Sequence, residues 1–114
     1  MILVIGGAAS GKLDYVKSLG YSDEQVSDGC IDKRPVVYNL QDLVAEDPSA
    51  APGYYDDLVG KEVVICNEVG SGVIPIARET REAREQTGRL CNRLARVADR
   101  VVRIVSGIPM VIKG

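Results

Sequence analysis

The opening of the chain constrains the fold most, because a strand-like run leads directly into a glycine-rich loop. Residues 1–5 are all apolar, a pattern typical of a strand buried on both faces of a parallel sheet. The residues that follow, GGAASGK, match the pattern GxxxxGK. A short helix is predicted over residues 11–19, and Gly20 ends it. This order of strand, loop and helix predicts a loop that binds phosphate groups.

The loop supplies the residue types that a phosphate group needs. Glycines let backbone N–H groups turn inward around phosphate oxygens, and the helix directs its positive end toward the same point. The Lys12 side chain would reach the terminal phosphates as a mobile positive charge. The alternative is a turn that only joins strand to helix. The candidate nucleotide-binding residues are Gly6, Gly7, Ala8, Ala9, Ser10, Gly11, Lys12 and Leu13.

Leu13 departs from the phosphate-loop pattern. The motif has Ser or Thr at this position, and the hydroxyl ligates Mg²⁺. A leucine side chain cannot ligate a metal, and Asp14 lies about 100° further around the helix, which makes it a poor substitute. The loop is therefore expected to hold phosphate, while bound Mg²⁺ is doubtful and no metal ligand is assigned.

Strand and helix patterns alternate along the rest of the chain. Further strands are predicted at residues 35–38, 61–66, 100–105 and 109–113, and helices at residues 40–44 and 76–98. Residues 21–32 and 70–72 are predicted to be loops, and residues 47–60 a connector. The order β-α-β-α-β-α-β-β predicts an α/β fold with a mostly parallel sheet and an antiparallel C-terminal edge hairpin. The length favours one domain over residues 1–114.

The carboxyl ends of the predicted strands gather a second set of polar residues. Ligands of such sheets bind at this edge, which collects residues 6–12, Asn39, Asn67 and Glu68. An acidic residue after an apolar strand is where P-loop proteins keep the carboxylate that orients metal or water. The alternatives are a glutamate in a solvated loop and a helix cap. Lys12 and Glu68 are therefore the candidate catalytic residues.

The composition excludes several kinds of chemistry. The chain has no histidine, which rules out Ser-His-Asp triads, Cys-His pairs, phospho-histidine intermediates and His-containing zinc sites. A net charge of −2 provides no electrostatic footprint for nucleic acid or an anionic membrane. No targeting signal is visible, and no apolar run approaches the roughly 18 residues that span a bilayer. No nucleic-acid or membrane partner is expected.

The three cysteines form no recognisable framework. Cys30, Cys66 and Cys91 are an odd set without CxxC spacing, which argues against both a disulfide network and a metal site. Cys66 lies in an apolar strand pattern, where cysteine behaves as a small hydrophobe. We expect inert thiols in a reducing cytoplasm.

The long helix predicted over residues 76–98 has two different halves. The apolar stripe of its second half comprises Ala83, Thr87, Leu90, Cys91, Leu94, Val97 and Ala98. The helix also carries Arg78, Arg81, Arg84 and Arg89, with Glu79, Glu82 and Glu85 between them. A solvated face of ion pairs explains this charge pattern. The alternatives are a subunit interface or an arginine that reaches the phosphates.

Two segments of the chain together resemble a known family. Residues 67–75 read NEVGSGVIP, and the spacing of the arginines and of residues 105–108, VSGI, continues the likeness. This half resembles the bifunctional adenosylcobinamide kinase / adenosylcobinamide-phosphate guanylyltransferases of cobalamin biosynthesis. Residues 2–12 are similar to that family's opening strand and loop. The resemblance implies a RecA-like P-loop NTPase fold of three layers, GTP or ATP as ligand, adenosylcobinamide as substrate and a homo-oligomer.

The chain also departs from the family pattern. It is shorter, Ala9 replaces an arginine and Leu13 replaces a serine, and residues 20–61 have no counterpart that aligns. The family transfers GMP through a guanylylated histidine, which this sequence lacks. Three hypotheses remain open: a kinase acting on adenosylcobinamide alone, a non-catalytic nucleotide-binding homologue, and a structural protein that no longer binds nucleotide.

Overall fold

The fold is built on one mixed sheet, seen in a computed structural model that describes residues 1–68 and 78–114. The strands within these ranges are β1 (Ile2–Gly6), β2 (Val26–Asp28), β3 (Val36–Tyr38), β4 (Val63–Asn67), β5 (Arg100–Val105) and β6 (Ile108–Lys113). Their order across the sheet is β2-β3-β4-β1-β5-β6. Every neighbouring pair is parallel except β5 and β6, which are antiparallel. The predicted mostly parallel sheet with an antiparallel edge hairpin is therefore confirmed.

Helices cover both faces of the sheet. The described α-helices are α1 (Lys12–Ser18), α2 (Leu40–Glu46), α3 (Tyr55–Val59) and α4 (Arg78–Val97). Val16 of α1 packs on one face, in a cluster with Val4 and Ile65. Leu40 of α2 and Leu94 of α4 pack on the other face, in a second cluster. This arrangement gives the three layers that the sequence predicted.

The strands of the sheet centre are apolar because both of their faces are covered. Val63, Val64, Ile65 and Cys66 of β4 are all completely buried. Successive side chains of a strand point to opposite faces, so Val64 and Cys66 join one cluster while Val63 and Ile65 join the other. The interpretation of Cys66 as a core residue is confirmed.

The C-terminal hairpin turns on two residues with left-handed backbone. Ser106 has φ 49° and Gly107 has φ 78°, the combination of a type I′ turn, which suits the twist of a two-residue hairpin. The predicted strands at residues 100–105 and 109–113 leave Ile108 in the turn, whereas in the structure Ile108 is the first residue of β6. All six residues of β6 are exposed, and the exposed fraction of Ile108 reaches 65%.

Two segments predicted to lack regular structure contain short elements. Residues 21–32 hold the 3-10 helix Asp23–Gln25 and strand β2, and residues 47–60 hold the 3-10 helix Pro48–Tyr54 and α3. These predictions were wrong because elements this short show no measurable hydrophobic period. Strand β2 is recognisable only in its tertiary setting, where the buried Ser27 hydroxyl donates a hydrogen bond to the Val36 carbonyl at 3.0 Å.

The long helix follows its predicted stripe with one exception. Ala83, Leu90 and Leu94 are buried, but Val97 is 51% exposed at the last residue of α4. Ala98, just beyond the helix, is buried in its place. The predicted first residues of this helix and the tight loop at residues 70–72 lie outside the described residues.

An ion pair between Asp32 and Arg34 and two further hydrogen bonds hold the loop between β2 and β3. The Asp32 carboxylate accepts hydrogen bonds from the Arg34 backbone N–H at 2.9 Å and from the Arg34 guanidinium. The same guanidinium donates to the Val26 carbonyl at 3.0 Å, and Lys61 Nζ donates to the Arg34 carbonyl at 2.7 Å. These contacts tie the loop to β2 and to Lys61, which lies just before β4.

This pair predicts an acid-dependent loosening of the loop. Hydrogen bonds from Arg34 lower the pKa of Asp32 from 3.8 to about 2. A carboxyl whose pKa falls on folding contributes stability that is complete above its unfolded pKa and is lost as the pH falls through its folded pKa. We therefore expect the loop to loosen between pH 4 and pH 2, and NMR titration of the Asp32 carboxyl carbon should give the low midpoint. Asp32→Asn should abolish this pH dependence, and a midpoint near 3.8 would contradict the pairing.

Candidate functional site

The glycine-rich loop joins β1 to α1 at the carboxyl edge of the sheet. Ala9 has φ 56° and Gly11 has φ 94°, so the chain reverses through two left-handed residues. The Ser10 N–H donates to the Gly7 carbonyl at 3.3 Å, and the Gly107 N–H of the hairpin turn donates to the Ser10 carbonyl at 2.8 Å. Hydrogen bonds within the loop and from the neighbouring hairpin turn therefore hold its conformation.

Gly6 is the residue that this geometry most requires. A Cβ atom at Gly6 would lie 2.6 Å from the Ile104 backbone oxygen and 2.6 Å from Ser10 Oγ. A Cβ atom at Gly7 would meet nothing within 4 Å. Of these two glycines, Gly6 is therefore the one fixed by close approach, because β5 and the returning loop both press on it.

The Lys12 side chain is buried beneath the loop. Its exposed fraction is 5%, and Nζ donates to the Gly7 carbonyl at 2.5 Å and to Ser10 Oγ at 3.5 Å. Burial lowers the pKa of Lys12, while its interactions with Cys66 and Glu68 act in the opposite direction. Among the described residues no carboxylate lies within ion-pair distance of Nζ. A charged group held mainly by neutral oxygens is suited to receive an anion.

A cleft of about 300 Å³ opens beside Lys12. The residues that line it are Ala9, Ser10, Gly11, Lys12, Leu13, Asp14 and Tyr38. Six of these seven come from one continuous stretch at the loop and the first turn of α1. Tyr38, at the end of β3, was not foreseen, since nothing local to it indicates that β3 ends beside α1.

Leu13 lies at the position where the motif has a hydroxyl. Its side chain is half-buried and packs against the cluster that contains Val16 of α1. The residue therefore has an apolar packing role in the first turn of α1. Across the two described ranges, no three His, Cys, Asp or Glu side chains come together as a metal site.

Glu68 is engaged by an arginine that sequence reasoning missed. Arg103 of β5 donates from Nε to Glu68 Oε1 at 2.5 Å and from Nη2 to Oε2 at 3.1 Å. The Glu68 N–H also donates to the Gly6 carbonyl at 2.8 Å, so the carboxylate is held next to the loop. The hydrogen bond with Glu68 raises the pKa of Arg103 above its usual value. The sequence feature that could have identified Arg103 is its charge, because it interrupts the apolar pattern of β5.

A chain of amides fixes the carboxyl ends of β2, β3 and β4. Asn39 Nδ2 donates to Asp28 Oδ1 at 2.8 Å, and its Oδ1 accepts from Gln41 Nε2 at 3.0 Å. Gln41 Oε1 in turn accepts from the Asn67 N–H at 2.9 Å. Asn39 and Asn67 lie at this edge of the sheet, as predicted. Their described hydrogen bonds connect the strand ends, and neither residue lines the cleft.

Cys66, Cys91 and Arg89, all singled out in the sequence, have described partners. Interaction with Cys91 and burial raise the pKa of the Cys66 thiol, and interaction with Cys66 lowers the pKa of the Cys91 thiol. Arg89 pairs with Glu85 one turn away at 2.6 Å, as expected for a solvated face of ion pairs. The structure does not describe the side chain of Arg78.

Within the described helices, none is long and apolar enough to cross a membrane.

A family model matches most of the chain. The model described as "Cobinamide kinase / cobinamide phosphate guanyltransferase" covers residues 39–112, more than half of the sequence. The matched region begins at Asn39, after the glycine-rich loop, and includes Glu68 and Arg103. The resemblance noted in the C-terminal half is therefore confirmed over a wider region.

Curated relatives match smaller parts of the chain. The bifunctional adenosylcobalamin biosynthesis protein CobU of Salmonella typhimurium is 47% identical over 53 residues, which are 46% of this chain and 29% of that protein. The protein of the same name from Escherichia coli is 43% identical over 53 residues, with the same coverage. The bifunctional adenosylcobalamin biosynthesis protein CobP of Pseudomonas aeruginosa is 30% identical over 79 residues, 63% of this chain and 46% of that protein. The chain thus spans less than half the length of each relative.

Proposed function

Since the chain belongs to the cobinamide kinase / cobinamide phosphate guanyltransferase family, we propose that it binds GTP or ATP through residues 6–13. The observation that carries this proposal is the Lys12 amine, which is buried beside a cleft and paired only with a carbonyl and a hydroxyl among its described contacts. A phosphate oxygen entering the cleft would replace the Gly7 carbonyl as the acceptor. The new pair would carry opposite charges, which makes a stronger hydrogen bond than the one it replaces.

We propose further that this binding depends little on Mg²⁺. Leu13 packs against apolar neighbours in place of the metal-ligating hydroxyl. Both oxygens of Glu68 accept hydrogen bonds from Arg103, so this carboxylate would have to exchange a cation already in place before it could orient a metal. Arg103 supplies near the loop a positive charge that remains at every physiological pH.

Two functions fit a chain that binds nucleotide in this way. A non-catalytic nucleotide-binding role in cobalamin biosynthesis is favoured by the Glu68–Arg103 pair, because that pair neutralises the candidate catalytic carboxylate. A kinase acting on adenosylcobinamide is the second candidate, with Lys12 stabilising the transferred phosphoryl group. Guanylyl transfer through a histidine forms no part of the proposal, because these 114 residues contain none.

Calorimetric titration with GTP and with ATP, each with and without Mg²⁺, tests the proposal directly. We expect saturable binding of at least one nucleotide, with similar affinity in the presence and absence of Mg²⁺. Incubation of the same protein with nucleotide and adenosylcobinamide then separates the two functions, since only a kinase forms the phosphorylated product. Failure of both nucleotides to bind would contradict nucleotide binding in either role.

Leu13→Ser should restore a dependence on Mg²⁺. The new hydroxyl would supply the ligand that the motif normally provides, so Mg²⁺ should strengthen nucleotide binding by roughly tenfold, the effect of about 1.4 kcal/mol. The measurement is the ratio of the dissociation constants with and without Mg²⁺, which should stay near unity in the unsubstituted protein.

Leu13→Ala is the matched control for that substitution. It removes the same apolar packing but adds no hydroxyl, so it should leave the ratio of dissociation constants near unity. If the serine and alanine variants respond alike to Mg²⁺, the first turn of α1 does not have the geometry of a metal-assisted phosphate loop.

A further inference from the structure

The ion pair between Glu68 and Arg103 bridges the end of the central strand β1. Ile5 of β1 pairs with Cys66 of β4 on one side and with Arg103 of β5 on the other. Glu68 follows the last residue of β4, and Arg103 donates to both of its carboxylate oxygens, at 2.5 Å and 3.1 Å. The pair therefore crosses β1 close to the point at which that strand passes into the glycine-rich loop.

Hydrogen bonds hold both this bridge and Lys12 at the start of the loop. The Glu68 N–H donates to the Gly6 carbonyl at 2.8 Å, and Lys12 Nζ donates to the carbonyl of the next residue at 2.5 Å. Ile104, which follows Arg103 in β5, lies opposite Gly6 in the sheet register. The Arg103 guanidinium and the Lys12 amine are therefore two positive groups anchored at the same end of the loop.

The guanidinium of Arg103 has donors left for a ligand. A guanidinium carries five N–H bonds, and the Nε and Nη2 atoms of Arg103 bond to Glu68. Among the described residues, none accepts a hydrogen bond from its Nη1 atom, and the side chain is 46% exposed. The carboxylate thus orients the guanidinium, and the remaining donors can bond to a phosphate oxygen that arrives from solution.

We propose that Arg103 binds the terminal phosphate of a nucleoside triphosphate and supplies the positive charge that Mg²⁺ supplies in loops with a metal-ligating hydroxyl. This role of Arg103 rests on the nucleotide binding proposed above and deepens it. Leu13 offers no ligand to a metal, so the negative charge of the phosphates is left for side chains to balance. A guanidinium suits this task, because it stays charged and binds phosphate through two parallel hydrogen bonds.

Glu68 acts in this arrangement as a positioning residue for Arg103. Its carboxylate orients the guanidinium, but its charge also repels the phosphates. Glu68→Gln keeps an oxygen that can accept from Arg103 and removes the repulsion, so this variant should bind the triphosphate at least as tightly as the unsubstituted protein. Removal of a carboxylate that held Mg²⁺ would instead weaken binding when the metal is present. The direction of the change at Glu68 therefore distinguishes the two roles.

Calorimetric titration of the full chain with GTP, GDP, ATP and ADP, all without Mg²⁺, tests the role of Arg103. We expect Arg103→Gln to weaken triphosphate binding by roughly tenfold, because a charge-assisted hydrogen bond is lost. It should weaken diphosphate binding by less than about twofold, since an exposed charge that touches no ligand is largely screened. Arg103→Lys keeps the charge without the planar fork and should recover part of the loss. Equal weakening of both kinds of nucleotide would show that Arg103 acts only through the structure.

Arg100→Gln is the matched control, because it removes the same charge from the first residue of the same strand. The parallel pairing of β1 and β5 places Arg100 beside Ile2, at the end of the sheet away from the loop. Triphosphate affinity should stay within about twofold of the original value, since a distant exposed charge is largely screened. If Arg100→Gln and Arg103→Gln lose affinity equally, overall charge decides binding and Arg103 is not a phosphate ligand.

Inorganic triphosphate separates the role of Arg103 from nucleotide binding. The NMR signal of the Arg103 Nε–H group, identified by its absence in Arg103→Gln, should shift when inorganic triphosphate is added. If nucleotides bind while this signal stays unmoved and Arg103→Gln keeps full triphosphate affinity, the role of Arg103 is overturned and nucleotide binding stands. If nucleotides fail to bind but inorganic triphosphate shifts the signal, nucleotide binding is overturned and Arg103 remains a phosphate ligand. If neither is observed, both are overturned.

Discussion

Gly6→Ala should destabilise the protein by about 1–3 kcal/mol and remove most of its nucleotide binding. The added Cβ would lie 2.6 Å from the Ile104 backbone oxygen, a distance that real Cβ atoms do not reach. A backbone atom in a central strand cannot move aside as a flexible side chain can, so β1 and β5 must separate or the loop must shift. Urea unfolding followed by circular dichroism measures the change in stability, and the calorimetric titration measures the change in binding.

Gly7→Ala is the matched control for stability. The same methyl group is added one residue later, where nothing lies within 4 Å. Its free energy of unfolding should stay within about 0.5 kcal/mol of the unsubstituted protein. Equal stability of the two alanine variants would show that β5 does not press on Gly6 as the structure describes.

Lys12→Ala should weaken nucleotide binding by roughly 10- to 100-fold. The substitution removes a charged donor, and hydrogen bonds to charged groups contribute about 1.5–3 kcal/mol. Folding should survive, because the amine gives up only its contacts with Gly7 and Ser10. Calorimetric titration with the nucleotide that binds best measures the loss.

Lys17→Ala provides the comparison for charge alone. Lys17 belongs to the same helix, but its side chain is 39% exposed and pairs with Asp23. Its removal changes the net charge of the protein as much as Lys12→Ala does. Nucleotide affinity should therefore stay within about twofold of the original value, since an exposed charge is largely screened. If both variants lose affinity equally, binding depends on overall charge and the loop is not the site.

The glycine-rich loop could be predicted because its signals are local. An apolar strand, closely spaced glycines and Lys12 follow one another within a dozen residues. The structure brings Gly6, Ser10 and Lys12 together as that order implies. The sheet could be predicted for the same reason, because long apolar runs alternate with helical patterns.

The partner of Glu68 could not be predicted in this way. Arg103 lies 35 residues further along the chain, and the two side chains meet only because β1 pairs with both β4 and β5. The position of Tyr38 in the cleft could not be predicted for the same reason. No local sequence pattern indicates that β3 packs beside α1. Sequence patterns identify the elements, whereas contacts between distant elements depend on register and on layer packing.

The open edge formed by β6 has a consequence for handling the protein in solution. Natural edge strands discourage aggregation with charges, and lysine is the commonest of these. The strand carries one such residue, Lys113, but its Nζ donates to the carbonyls of Ala95 and Arg96 and so caps α4 instead. Pro109, which has no N–H group, protects only the start of the strand, so residues 110–112 leave unpaired backbone groups between exposed apolar side chains. When the protein is concentrated, aggregation should therefore begin by pairing of this strand with another molecule. The homo-oligomer expected from the family resemblance stays a prediction.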